Sequence, residues 1–323
     1  MDFGLTDEQD QLAGAERAWL VRHDPLLRVR AALDTAPVTV DPAAVAHAEE
    51  SGLLALLTPE MGGTHVDLAV LTEAHGYSAS SLPIADLAIA AWLLDSTGIE
   101  TDGASLIGLA VVGEQTATPV PMAADMDAIA VARQDGGKEY LALLTAPTLA
   151  TMATFDLTRS WARVNPDAAA EETELPAGTL TAARDALAVH RAFDALGAAA
   201  RLLDMTVEYA GQREQFGAPI GSFQAVKHHC ADMVTAVEAG RAALWAGALA
   251  LDTAVGADRS RAASAAAAYA KSAAARVAGD ALQVHGGIGF TWEHDLHLLL
   301  RRIKVDEALN GTVADHRAAL VLG

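Results

Sequence analysis

Two glycine-punctuated segments hold the residues best suited to chemistry. The first is Arg213-Glu214-Gln215-Phe216-Gly217-Ala218-Pro219-Ile220-Gly221-Ser222-Phe223-Gln224, a turn between two long helical stretches. An arginine beside an exposed turn can hold a phosphate through two parallel hydrogen bonds. The amides that open the following helix add partial positive charge. The second segment is Gln283-Val284-His285-Gly286-Gly287-Ile288-Gly289-Phe290-Thr291, whose glycines let a ligand or another backbone approach closely. No Gly-Lys-Ser/Thr follows, as a Walker loop requires, and no strand precedes, as a Rossmann turn requires. Taken singly, each segment also reads as an ordinary connection: a helix–helix turn with a surface arginine, and a helix end with its turn. On physics alone that plainer reading is the stronger one.

Other residue types carry less. His228 and Asp232 stand four apart, a possible metal pair, but spacing supplies no third ligand. His294 and His297 are similarly unsupported. Arg301 and Arg302 suit either an anion or a solvated face. Glu171-Glu172 is an exposed acidic loop.

The elements that position these residues fall into three sections: a helical one over 1–104, a small β one over 105–175, and a helical bundle over 176–323. In the first, Thr6 and Gln9 have capping-box spacing, and Asp41-Pro42 sets an N-cap before a first-turn proline. That helix stops at Gly52; further helices are expected over Leu68 to Tyr77 and Ile84 to Leu94. In the second, Leu106 to Val112, Ala128 to Ala132 and Tyr140 to Leu144 are short apolar runs, and Gln134-Asp135-Gly136-Gly137-Lys138 is a hairpin turn. Asp167 to Pro176 reads as a surface connection. In the third, Leu196, Ala200, Leu203, Val207 and Ala210 form the stripe of a bundle helix. The next helix has Ser222 as its N-cap and Val226, Cys230, Met233, Val237 and Leu244 on one face. An Ala-rich helix starts near Asp258 and ends before Gly286, and a fourth starts at Thr291. The fold class is therefore mainly α with a small β section, closed by a four-helix bundle.

Composition bounds the partners. The 22 Lys+Arg against 42 Asp+Glu give a formal charge of −20, which argues against nucleic acid or an anionic membrane as the main partner. Local basic clusters can still take an anionic ligand. The longest apolar stretches, Leu87 to Leu94 and Ala242 to Leu251, fall short of a membrane span. The acidic start and the lone Cys230 fit a reducing cytoplasm, so a cytoplasmic location is expected.

Set in this order, the segments resemble the FAD-dependent acyl-CoA dehydrogenase family. The resemblance is carried by Leu5-Thr6-Asp7-Glu8-Gln9, Ser51-Gly52-Leu53-Leu54 and Pro59-Glu60-Met61-Gly62-Gly63. It continues through Tyr209, Arg213, Phe216-Gly217, Ile220, Phe223-Gln224, Ala231-Asp232-Met233, Gln283 to Phe290 and Arg301-Arg302. It implies a flavoprotein in which Arg213 contacts the FAD pyrophosphate, with Phe216 and Gln224 nearby. Gln283, Val284, His285, Gly286 and Gly287 would approach the adenine side of an FAD bound mainly by a neighbouring subunit. Thr312 matches a flavin-contacting threonine. An acyl-CoA substrate and an electron-transfer flavoprotein or similar acceptor are the implied partners.

Two departures matter. The reaction removes an α-proton and so needs a carboxylate base. Most members carry it as the glutamate of a Glu-Gly-Thr motif; here that position is Asn310. Some relatives place it in the first bundle helix, at a position near Leu187, where the nearest acid is Asp185. The family's Thr-Glu-Pro…Gly-Ser segment is also missing from 105–175. Together these imply the short actinobacterial form: a subunit that completes the flavin site while a second acyl-CoA dehydrogenase subunit supplies the base. Two copies of each chain are expected, acting on a thioester of the steroid-derived kind. The alternatives are a self-sufficient homo-oligomer with an unplaced base, and a flavin-free structural subunit.

Overall fold

The computed structural model describes residues 5–23, 25–33, 38–113, 118–165 and 172–322. Five helices come first: α1 (Asp7–His23), α2 (Pro25–Ala32), α3 (Pro42–Glu50), α4 (His65–Tyr77) and α5 (Ile84–Thr97). Their starts follow the expected caps. Thr6 and Gln9 exchange side-chain-to-backbone bonds of 3.1 and 3.2 Å, and Asp41 accepts from Ala43 N ahead of Pro42. Gly52, at φ 70°, turns the chain out of α3.

Seven strands follow: β1 (Ile107–Val111), β2 (Val120–Pro121), β3 (Ala128–Asp135), β4 (Lys138–Leu144), β5 (Leu149–Met152), β6 (Trp161–Val164) and β7 (Thr173–Leu175). One sheet has the order β1-β3-β4-β7, its β1–β3 pair parallel; the other is β2-β6-β5. The expected hairpin joins β3 to β4, with Gly136 and Gly137 both at positive φ, as a two-residue turn demands. The connection expected over Asp167 to Pro176 is partly strand. Its residues 167–171, including Glu171, lie outside the described residues, but Glu172 pairs with Arg133 at 2.6 Å and β7 adds to β4.

The C-terminal part contains α6 (Thr179–Gln212), the small hairpin β8 (Glu214–Gln215) and β9 (Ala218–Pro219), α7 (Gln224–Thr253), α8 (Gly256–His285), α9 (Leu296–Ala308) and α10 (Val313–Leu322). Three sequence expectations shift here. Helix α6 is the hub of the bundle, buried on every side between Ala186 and Ala199. The expected single stripe therefore holds only in part, and Val207 is 50% exposed where α6 emerges. Ser222 bonds Pro219 O rather than capping α7, which begins after Phe223. The fourth bundle helix starts at Leu296 instead of Thr291, because Gly286–Phe290 forms a 3-10 turn and the Thr291 hydroxyl closes onto Ile288 O. A further helix, α10, follows the four.

Among the described residues, α7 is the one helix long and apolar enough to cross a membrane. It packs into the bundle through Met233, Val237 and Leu244.

Candidate active site

The bundle brings the two glycine segments to one end. Helix α6 runs to that end, α7 leaves it and α8 returns, so Tyr209 stacks on His285 with ring centres 4.5 Å apart. His229 Nδ1 also meets Asp280 at 3.0 Å. Arg213 has its backbone spent in the turn: its N–H donates to Tyr209 O and its carbonyl accepts from Ile220 N. Its guanidinium is exposed. Phe216, at φ 54°, projects from the β8–β9 turn with 96% of its surface open and meets Phe223 edge-on. Gln224 opens α7 and its side-chain amide meets His228 Nε2 at 2.9 Å.

On α8, Gln283 is exposed and Val284 half-buried. His285 is buried against Tyr209 and His294, with Nδ1 at 2.8 Å from Ala281 O. Burial holds its imidazole below the usual histidine range, so it is a neutral donor–acceptor. Among the described residues Nε2 has no partner. Gly286 ends α8 at φ 60°, ψ −137°, a conformation open essentially to glycine alone; Gly287 is exposed beside it.

Thr312 is not part of this end. Helix α9 runs only part of the way back along α8, and the loop after it sits over Lys271, roughly 20 Å from His285 along that helix. There the Thr312 hydroxyl donates to Asp315 and accepts from its N–H, capping α10.

That loop lines a second space, a cavity of about 290 Å³ at the C-terminal end of β1. Val111, Arg184, Asp185, Ser264, Asn310 and His316 are among its walls. Asp185 and Asn310 are thus brought together, yet the Asp185 carboxylate is held by Arg259 Nε at 3.0 Å and Ser260 Oγ at 2.8 Å. Asn310 sits at φ 52°. Lys271, buried within α8, donates to Leu309 O at 2.6 Å and Gly311 O at 2.7 Å, on either side of it.

Behind Asn310 lies a layer of buried charge that sequence reasoning missed. Arg191 Nε reaches Asn310 Oδ1 at 3.4 Å while its Nη2 donates to both Asp86 oxygens at 2.8 and 3.0 Å. Arg302 grips Asp194 at 2.6 and 2.9 Å, and Arg159 lies 2.9 Å from the same carboxylate. Burial pushes Asp194 upward, but three arginines more than offset it and leave it well below the usual carboxylate range. Asp306, buried nearby, is driven well above that range by burial and by Asp194. Arg302 is therefore a core ion-pair member, not part of a solvated face. Arg301 covers the Trp292 ring at 5.6 Å. The missed signal was the run His190-Arg191 and Asp194 inside an otherwise apolar helix stretch. Leu187, on the same face as Arg191, lines with it, Asp86 and Asp194 a cavity of about 10 Å³, room for a single water.

Helices, two small sheets, then a long antiparallel bundle define an acyl-CoA dehydrogenase architecture, and comparison agrees. Residues 180–321 match the family model described as "Acyl-CoA dehydrogenase, C-terminal domain". Acyl-CoA dehydrogenase IpdE2 of Mycolicibacterium smegmatis is 33% identical over 304 residues, covering 92% of this chain and 93% of that one. In fold, the chain is similar to the ChsE4-ChsE5 complex from Mycobacterium tuberculosis. That match has a TM-score of 0.86 at 22% identity and covers 100% and 98% of the two chains. It is also similar to the Tcur3481-Tcur3483 steroid ACAD, with TM-score 0.84, 23% identity, and coverage of 98% and 97%. The chain belongs to the acyl-CoA dehydrogenase family, whose members are oxidoreductases.

Proposed function

We propose that this chain is one subunit of a heteromeric FAD-dependent acyl-CoA dehydrogenase that forms the α,β double bond of a CoA thioester. It completes the flavin site, and the partner subunit supplies the base. One observation carries this. The family places its base at the position of Asn310 or at one near Leu187, and neither residue bears a carboxylate. Arg191, fixed by Asp86, faces Asn310, and beside Leu187 the free space is about 10 Å³, too small for a thioester. Asp185 shares the larger cavity with Asn310, but its bonds to Arg259 and Ser260 oppose a role in proton abstraction.

Bound FAD would supply the hydride acceptor. The residues present suit such a group: Arg213 offers an unspent guanidinium beside the first amides of α7, and Phe216 an exposed ring. Gln283, Val284, His285, Gly286 and Gly287 offer a glycine-opened edge, behind which the buried Nε2 of His285 has no partner among the described residues. Gln224 would contribute from the start of α7. Thr312 joins only if its hydroxyl leaves Asp315. A paired assembly is supported by the similarity to the ChsE4-ChsE5 complex and to Tcur3481-Tcur3483, and a steroid-derived thioester by the latter being a steroid ACAD.

Expression of the chain alone and with its partner dehydrogenase subunit tests the proposal. Flavin absorbance and turnover should appear only on co-expression, and Arg213→Ala should lower flavin occupancy of the complex. Full turnover from this chain alone would overturn the paired reading. A colourless, inactive complex would make it a structural subunit.

A further inference from the structure

Asn310 does more than lack a carboxylate, because its surroundings fix which end of its amide faces the cavity. Arg191 carries only donors, and the two Asp86 bonds hold it in place, so Asn310 must turn Oδ1 toward Arg191 Nε at 3.4 Å. The reverse orientation would set an amide N–H against a buried guanidinium N–H. Among the described residues no acceptor meets Asn310 Nδ2, and Asn310 lines the 290 Å³ cavity at the end of β1.

The backbone of the same loop is equally committed. Lys271 takes the carbonyls of Leu309 and Gly311, and His316 Nε2 lies 3.1 Å from the carbonyl of Asn310. The loop therefore presents donors to the cavity and has few acceptors left. Thr118 on the opposite wall accepts from Val111 N at 2.9 Å, which leaves its own hydroxyl hydrogen to donate. Asp185 is the carboxylate on this wall, and its Oδ2 is turned to Arg259 and Ser260.

We infer that Asn310 is a fixed amide donor that binds a carbonyl oxygen of the ligand occupying this cavity. The inference rests on the dehydrogenase function proposed above, and the ligand carbonyl has two possible sources: the flavin ring or the thioester. Asn310 thus changes the position from a proton acceptor to a hydrogen-bond donor, with Arg191 and Lys271 as the residues that position it.

Asn310→Asp and Asn310→Gly test this, since both residues tolerate the positive φ of the site. The first keeps the shape and the contact with Arg191 but replaces the donor by a carboxylate; the second deletes the amide. FAD is titrated into the flavin-free heteromeric complex by fluorescence, and crotonyl-CoA into the FAD-loaded complex. Loss of one hydrogen bond should weaken binding about tenfold in Asn310→Gly, and repulsion should weaken it further in Asn310→Asp. Weakened FAD binding assigns the flavin carbonyl; normal FAD binding with weakened crotonyl-CoA binding assigns the thioester. If the wild-type complex binds both and the variants bind both equally well, the donor role is wrong while the proposed function stands. If the wild-type complex binds neither probe, both fall.

Discussion

Gly76 of α4 and Gly197 of α6 lie against each other's helix backbone. A Cβ built on Gly76 would stand 2.2 Å from Asp194 O, and one on Gly197 would stand 2.2 Å from Glu73 O. The two helices cross at contact distance because neither carries a side chain there. Asp194, in the buried charge layer, and Glu73, which receives Arg241 at 2.8 Å, both flank this crossing. Gly197→Ala should force the helices apart and cost about 1–3 kcal/mol, read as a fall in thermal midpoint. An unchanged midpoint would show that the crossing yields easily.

The buried layer itself should be strongly destabilised by removing one partner. Asp194→Ala leaves Arg302 and Arg159 uncompensated in the core, at a cost of about 3–5 kcal/mol. The triple variant Asp194→Leu, Arg302→Met and Arg159→Met should recover a large part of that loss in urea unfolding. If the single and triple variants are equally unstable, the charge layer contributes little beyond packing.

Glu16 should contribute to acid sensitivity. It bridges His47 and His75, both at 2.8 Å. Burial raises its pKa, but the hydrogen bonds and charges of His75 and His47 together pull it below the ordinary glutamate value. A carboxylate with a depressed folded pKa adds stability that is complete above its unfolded pKa and lost as pH falls through the folded one. Glu16→Gln should therefore flatten the stability decline below about pH 4.5. An unchanged acid limb would place the sensitivity elsewhere.

Lys271 should show the matching effect at high pH. Burial brings its ammonium down to about 8 from an ordinary value of 10.5, despite Asp306 nearby. The folded state then binds fewer protons than the unfolded one between these values, so stability from this group rises as pH climbs from about 8 to 10.5. Lys271→Met should lack that rise. It should also loosen the Leu309–Gly311 loop, seen as faster amide exchange at Gly311 and beyond. Persistence of the rise would assign it to another group.

The readable parts of the fold were local. The capping box of Thr6, the proline start at Pro42 and the Gly136-Gly137 hairpin are short-range features whose geometry follows from residue type. The stripe on α6 was only half right because periodicity predicts one buried face, whereas α6 is packed on every side by α4, α7, α8 and α9. The start of α9 was misplaced because the Thr291 hydroxyl closes its own turn, and chain order does not reveal which partner a hydroxyl takes.

The sequence alone determined the family resemblance, the two glycine segments and the identity of Asn310 where a base is expected. Those depend on residue type and order, which every conformation shares. Only the tertiary structure decided that Arg213 and His285 lie at one end of the bundle while Thr312 lies elsewhere. It likewise decided that Arg191, 119 residues away in sequence, faces Asn310. The reason is physical: which charges end up buried together depends on how helices cross, and the cost of burying an unpaired charge then dictates which partners meet.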